Sequence, residues 1–301
     1  MRHIIPIILL FIPFLGFNQK FVWDVGGQAG IANYFGDLAS QTGTNSFNVI
    51  RPNTRYNVGG FARKRLNYRF AMRFEANYLL VTGADSLNRE SPRASRNLHF
   101  RNNIIEASGR LEYYPIIIND VGGKMRYKVD FHLMGFLGVG VAYHNPQAQH
   151  NGSWVDLRPL KTENVSYSPV EPVIPLGLGG FFTFKSKYQR FRRHRIGIEV
   201  NYRKMFTDYL DDVSTVYPEP SNLPSDKARE LSFRGDELPG VNEAAYPSQG
   251  RIRGNPDRMD AYGTIMISYS YVIRSKTDGR YRPKYNYQYG NTPASIRRMR
   301  F

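Results

Sequence analysis

From Ile196 to Arg203 the chain alternates without a break: Ile196, Ile198, Val200 and Tyr202 fall on one face of an extended segment, and Gly197, Glu199, Asn201 and Arg203 on the other. Successive strand side chains point to opposite faces, so the pattern predicts a strand with one apolar and one polar side. Seven further segments repeat it. Phe21 to Tyr34 sets Phe21, Trp23, Val25, Ala29 and Ile31 against Asp24, Gly26, Gln28 and Gly30. Thr54 to Arg63 sets Tyr56, Val58 and Ala62 against Arg55, Asn57 and Arg63. Phe70, Met72, Phe74, Ala76 and Tyr78 oppose Ala71, Arg73, Glu75 and Asn77, and Ile105, Ala107, Leu111 and Tyr113 oppose Glu106, Ser108, Arg110 and Glu112. Tyr127 to Tyr143 sets Val129, Phe131, Leu133, Leu137, Val139 and Val141 against Asp130, His132, Gly138 and Gly140. Val173 to Lys185 carries Ile174, Leu176, Leu178, Phe182 and Phe184 against Gly177, Gly179 and Thr183, and Met259 to Ile273 carries Ile265, Ile267, Tyr269 and Tyr271 against Thr264, Ser268 and Ser270. Most runs reach the ~9–11 residues that a tilted membrane strand needs.

The connections fall into two classes. If both ends of the barrel chain are periplasmic, the inner turns are 64–69, 116–126 and 186–194, all fairly short, while the outer loops are 35–53, 79–103, 144–172 and 205–258. Short turns on one side and long loops rich in Asn, Ser, Pro and charge on the other are the asymmetry of outer-membrane barrels. The fold class expected is therefore all-β, an eight-stranded antiparallel transmembrane barrel over 19–273 with a basic periplasmic tail from 274 to 301. A soluble ligand-binding barrel would turn its apolar face inward. The aromatic residues at the strand ends favour lipid outside instead.

Composition adds the address. Arg2 and His3 precede an apolar run from Ile4 to Phe17 that is too short to span a bilayer as a helix and has the form of a secretory signal, expected to end near Asn18. No cysteine occurs, which excludes a disulfide framework and a lipidated cysteine. No later stretch is apolar enough for a helical span, whereas the 21 tyrosines suit a barrel exterior. A net charge of +16 would suit nucleic acid, but an exported chain whose basic residues sit in connections points elsewhere.

Eight strands leave an interior only wide enough for side chains. Asp24, Arg63, Arg73, Glu75, Glu106, Arg110, Glu112, Asp130, Glu199 and Arg203 are the expected lumen charges, of both signs, able to pair and fill the barrel rather than form a pore. Arg234-Gly235-Asp236 spells an integrin-type tripeptide in an outer loop, a match short enough to arise by chance, and Asn164-Val165-Ser166 is a glycosylation sequon. The histidines lack metal spacing; His132 near Asp130 has no nucleophile beside it, so no catalytic residue, cofactor or metal is expected. Asp208, Asp211 and Asp212 in the stretch 206–214 could gather a hard cation, but capping backbone amides at the loop entry is the reading favoured for them.

Three stretches give the chain a resemblance to a known family. They are Gly26-Gly27 leading to Asn33-Tyr34-Phe35-Gly36-Asp37-Leu38, then Phe206-Thr207-Asp208-Tyr209-Leu210-Asp211-Asp212-Val213-Ser214, and Arg253-Gly254-Asn255-Pro256 with Asp260 and Tyr262. The chain resembles the PorG-like outer-membrane proteins of the type IX secretion system, in pattern only over about 40 to 190. The resemblance implies an eight-stranded outer-membrane barrel that helps to anchor a periplasmic ring of PorK and PorN type, with no catalytic residues. The surfaces expected to meet such a ring are basic and aromatic. One is the turn with Lys187, Tyr188, Arg190, Arg192 and Arg193, flanked by Lys185 and Arg195; the other is the tail with Arg280, Tyr281, Arg282, Tyr285, Tyr287, Arg297 and Arg298. Arginine and tyrosine combine contact area with directed hydrogen bonds. The expected function is thus a non-enzymatic component of that secretion, and gliding, machinery. A surface adhesion or protection barrel acting through its outer loops is the alternative.

Overall fold

Consecutive strands pair antiparallel, as the short turns require. β1 (Trp23–Phe35), β2 (Arg55–Arg65), β3 (Phe70–Ala84), β4 (His99–Ile118) and β5 (Val129–Tyr143) follow one another around the sheet. A short hairpin, β6 (Pro146–His150) and β7 (Ser153–Asp156), interrupts the sequence before β8 (Val170–Phe184), β9 (His194–Met205) and β10 (Ala261–Ile273) complete it. β10 then pairs with β1 from Trp23↔Ile273 to Phe35↔Ala261, and the sheet closes into an eight-stranded barrel. Closure leaves no unpaired edge in the wall, the condition for strands to lie in lipid. The structure, a computed structural model, describes residues 23–38, 52–87, 95–121, 129–184, 194–238 and 246–273. The segment expected as a signal, 1–18, the tail from 274, and the turn residues 185–193 lie outside the described residues. With them lie Lys187, Tyr188, Arg190, Arg192, Arg193, Arg280, Tyr281, Arg282, Tyr285, Tyr287, Arg297 and Arg298.

The two faces sort as the alternation predicts. Val139 is 71% exposed, Leu178 68% and Ile267 63%, although all three are aliphatic and belong to long, well-paired strands. Apolar side chains turned outward all round a closed wall are a lipid-facing surface. Aromatic pairs bound this band at both ends: Phe70–Tyr113 (5.2 Å between ring centroids) and Phe131–Phe182 (5.0 Å) on the turn side, Tyr56–Tyr78 (6.1 Å) and Phe35–Tyr202 (6.4 Å) on the loop side. At ~3.3 Å per residue and a tilt of ~40°, the steps from Phe70 to Tyr78 rise roughly 20 Å, close to the height of an outer-membrane hydrophobic band.

The structure corrects several boundaries. β3 and β4 stay paired beyond the expected rim, from Phe70↔Tyr113 to Ala84↔His99, so much of the expected loop 79–103 is strand. The run Leu79-Leu80-Val81 hid this because its inward members, Leu79 and Val81, join an apolar cluster and break the apolar–polar contrast. β4 also continues through the expected turn to Ile118, with a register shift between Tyr113 and Ile116 where Pro115 has no amide to donate. The outer connection 144–172 holds the β6–β7 hairpin, which extends the sheet from β4 through Arg101↔Gln147 and Asn102↔Pro146. The long connection after β9 contains a short helix, α1 (Asp226–Ser232), whose N-cap Ser225 accepts a hydrogen bond from the Ala228 amide. Leu231 of this helix packs with Ala148 of β6 and Leu157, forming a small lobe above the barrel.

Candidate functional site

The inner face holds three layers. On the turn side, Ala71, Tyr114, Met134 and Phe181 form an apolar floor, with the His132 ring stacked on Phe181 at 4.8 Å. His132 therefore packs among aromatic rings, as expected for a lumen residue. On the loop side, Tyr34, Leu38, Leu79, Phe100, Ile104, Leu210, Val213 and Tyr262 belong to a larger apolar plug.

The charged residues fill the space between. Glu199 lies 2.6 Å from both Arg73 and Arg110; Glu112 lies 2.7 Å from Arg63 and 3.1 Å from Arg110. Arg203 reaches Glu106 at 2.7 Å and Glu75 at 3.2 Å, and Arg63 reaches Asp24 at 3.0 Å. Arg73 also bonds Gln28. Phe61, Phe136 and Phe181 supply faces for these guanidiniums: Arg73 sits 3.5 Å from the Phe61 ring centre, Arg110 3.9 Å from Phe136, and Arg63 4.9 Å from Phe181. Of the expected lumen charges, Asp24, Arg63, Arg73, Glu75, Arg110, Glu112, Glu199 and Arg203 all point inward into this one network. Asp130 is buried as well, accepting from the Asp120 amide at the turn-side rim. These aromatic residues occupy inward positions where the alternation by itself suggests only polar or small side chains.

Arg195 requires a correction. The sequence groups it with the basic periplasmic turn between β8 and β9, but its side chain turns into the lumen and lies 2.8 Å from Asp24. Its position in β9 has the same parity as Glu199 and Arg203, which places it inside.

At the loop-side rim the three stretches that carry the family resemblance meet. The Tyr34 hydroxyl oxygen lies 2.7 Å from an Asp211 oxygen and 2.6 Å from an Asp260 oxygen; its single hydrogen serves one of these contacts and a carboxyl hydrogen serves the other. Asp211 accepts from the Leu38 and Val213 amides, and Asp260 from the Leu210 amide. Asp37 accepts from the Asn255 amide at 2.6 Å, and Arg253 donates to Glu163 and to the Asp212 carbonyl. Asp212 accepts hydroxyl hydrogens from Thr162 and Tyr167. Tyr209 stacks on Tyr167 at 4.7 Å, and Asn33 accepts from the Thr54 hydroxyl on the outer side. Gly36 is required here: a Cβ at that position would collide with the Tyr34 hydroxyl and the Asp260 carboxylate. Asp211 thus caps backbone amides, as the sequence suggested, whereas Asp212 accepts from hydroxyls instead and the buried Asp208 carboxyl caps no amide among the described residues. Pairing Tyr34 with Asp211 and Asp260 was beyond its reach, because these residues are far apart in the chain.

The electrostatics of this knot follow from burial. Burial pushes Asp208 up to about 7 and Asp212 up to about 6, the latter despite Arg253 nearby. Burial, then the charge of Asp37, raises Asp211; burial, then the charge of Asp211, raises Asp260. Glu163 moves the other way: burial would raise it, but the Arg253 guanidinium and the Ser214 and Thr215 amides hold it below the usual carboxylate range. The tripeptide Arg234-Gly235-Asp236 lies in the lobe above. Arg234 is buried, bonded to Glu237 and to the Gln149 carbonyl, which is not the exposed display an integrin-type ligand needs.

A closed wall, an apolar exterior between aromatic belts and a filled, ion-paired interior define the architecture of an outer-membrane β-barrel. No protein-family model matches the chain, and no curated protein matches it. Among solved structures it is similar to Ail, the attachment invasion locus protein of Yersinia pestis, solved with a heparin analogue. The identity is 8% and the TM-score 0.35, over 85% of this chain and 100% of that one. It is also similar to Neisserial surface protein A, at 11% identity and a TM-score of 0.32 over 84% and 97%. Likeness at this level transfers no function.

Proposed function

We propose that this chain is a non-enzymatic structural barrel of the outer membrane that anchors a periplasmic ring of the PorK–PorN type in the type IX secretion machinery. The observation that carries the reading is the knot at the loop-side rim. The stretches behind the family resemblance come from the first strand, the longest loop and the approach to the last strand, yet Tyr34, Asp211, Asp260, Asp37 and Asn255 bond one another directly. Three short matches that form one physical unit are better support for kinship than three independent ones. The filled lumen points the same way, since a barrel packed with ion pairs and rings works through its two ends rather than through its middle.

The basic turn and tail supply the chemistry for the periplasmic contact, and the anchoring requires them. Deleting the residues after Ile273 and recovering outer membranes in mild detergent tests this. Loss of the ring proteins from the membrane fraction, with the barrel still folded, is the expected result; undiminished recovery refutes a role for the tail. The second reading, a surface adhesion barrel, draws support from the lobe of β6, β7 and α1 packed above the rim. Cross-linking of whole cells separates the two, because partners attach through the tail in one case and through the lobe in the other.

A further inference from the structure

The outer wall carries a feature that ring anchoring does not use. β4 continues above the aromatic belt with its odd-numbered residues facing outward. Ile105 is 57% exposed and apolar, Asn103 accepts from the Tyr78 hydroxyl at 3.1 Å, and Arg101 comes next. At ~3.3 Å per residue and a tilt of ~40°, Arg101 stands roughly 10 Å above Ile105, where hydrocarbon gives way to headgroups. Its guanidinium is held in place on two sides. Nε donates to the Gln147 side chain at 3.0 Å, and the plane lies over the Trp154 ring at 3.9 Å. Trp154, on the neighbouring hairpin, is braced edge-on by His99 and remains 41% exposed. The nearby carboxylate, Asp156, is engaged by the Gln147 amide at 2.6 Å. The two Nη groups of Arg101 have no hydrogen-bond or ion-pair partner among the described residues.

We propose that Arg101, with Trp154 as a side wall and Asn103 and Tyr78 beneath, binds a phosphate monoester of lipid A in the outer leaflet, a more highly charged group than the phosphodiester of phosphatidylcholine. The chemistry matches. A fixed guanidinium presents parallel donors to a phosphate, and indole and phenol rings sit stably at the interface between chain and headgroup. An aliphatic strand face continuous with the site below takes the acyl chain of the same molecule. The site rests on the placement of the barrel in a membrane and stands whether or not the chain anchors a ring.

The test uses the full chain refolded in phosphatidylcholine nanodiscs. The sequence has two tryptophans, so a Trp23→Phe background leaves Trp154 as the only emitter. Lipid A incorporated into the discs is expected to shift Trp154 emission saturably, and Arg101→Gln to weaken that response about fivefold, the effect of one interfacial arginine on an anionic surface. An Arg101→Gln response equal to that of the parent overturns the proposal. So does the same shift from inorganic phosphate alone, which would make the ligand a free anion. Phenylglyoxal labelling of the unaltered chain gives a reading independent of any variant: lipid A must protect Arg101, and undiminished labelling overturns the site.

Discussion

Glu199 is the residue on which the lumen network can be tested most sharply. Its two oxygens each lie 2.6 Å from a guanidinium, Arg73 on one side and Arg110 on the other, and Arg63 stands at 3.9 Å. The network couples Arg63, Arg73, Arg110, Arg195 and Arg203 with Asp24, Glu75, Glu106, Glu112 and Glu199, so its charges balance. Glu199→Leu leaves one uncompensated positive charge among buried side chains and removes the shortest ion contact of two arginines. Breaking a buried pair by deleting one partner costs about 3–5 kcal/mol, most of it the desolvation of the charge left behind. Glu199→Leu combined with Arg73→Met restores the balance with side chains of similar bulk, and most of the loss should return, because well-packed apolar replacements of a buried pair are often neutral or better. The measurement is equilibrium urea unfolding of the refolded barrel in bilayers followed by tryptophan emission, with heat-modifiable gel mobility confirming closure. A single variant within about 1 kcal/mol of the parent, or a double variant no better than the single, refutes the view that mutual pairing holds these charges inside.

Other consequences concern the rim and the wall. Tyr34→Phe removes the hydroxyl shared by Asp211 and Asp260 and should destabilise the cap by about 1–3 kcal/mol, read as faster amide exchange over 206–214; Gly36→Ala should do at least as much through the collision with the same groups. Asp208 and Asp212 have folded values near 7 and 6, above the unfolded carboxylate range. Their contribution to stability is full below about pH 4 and is lost as pH rises through 6 to 7. Amide exchange of the cap should therefore quicken between pH 5 and 8 by more than its intrinsic pH dependence, and Asp208→Asn should flatten part of that trend; a cap that tightens with rising pH contradicts the assignment. On the wall, Val139→Arg places a charge in mid-band and should cost about 2–4 kcal/mol in bilayers, against about 0–1 kcal/mol for Trp23→Arg at the belt. Equal costs at the two depths would mean that the band is not lipid-facing.

How far the sequence could be read depended on whether a feature is local. Alternation places each side chain on a face by its parity alone, so the lumen charges from Asp24 to Arg203 and the lipid-facing residues from Val25 to Ile267 were legible without any contact map. Parity fails where both faces are apolar. Leu79 and Val81 face the upper plug while Leu80 faces outward, so the alternation fades at Tyr78 although β3 continues to Ala84. It also leaves open which inward residues touch, since register and closure bring Glu199 of β9 to Arg73 of β3 and Arg110 of β4, strands that are not its neighbours in the wall. The knot of Tyr34, Asp211 and Asp260 and the seat of Arg101 on Trp154 have the same origin. What the sequence by itself determined is the two-faced strand and its repetition, hence a barrel in a membrane, because a covalent chain imposes that period at every step. What only the tertiary structure decided is the pairing across the lumen, the rim and the outer lobe, because those contacts join residues that only the closed barrel and its folded loops bring together.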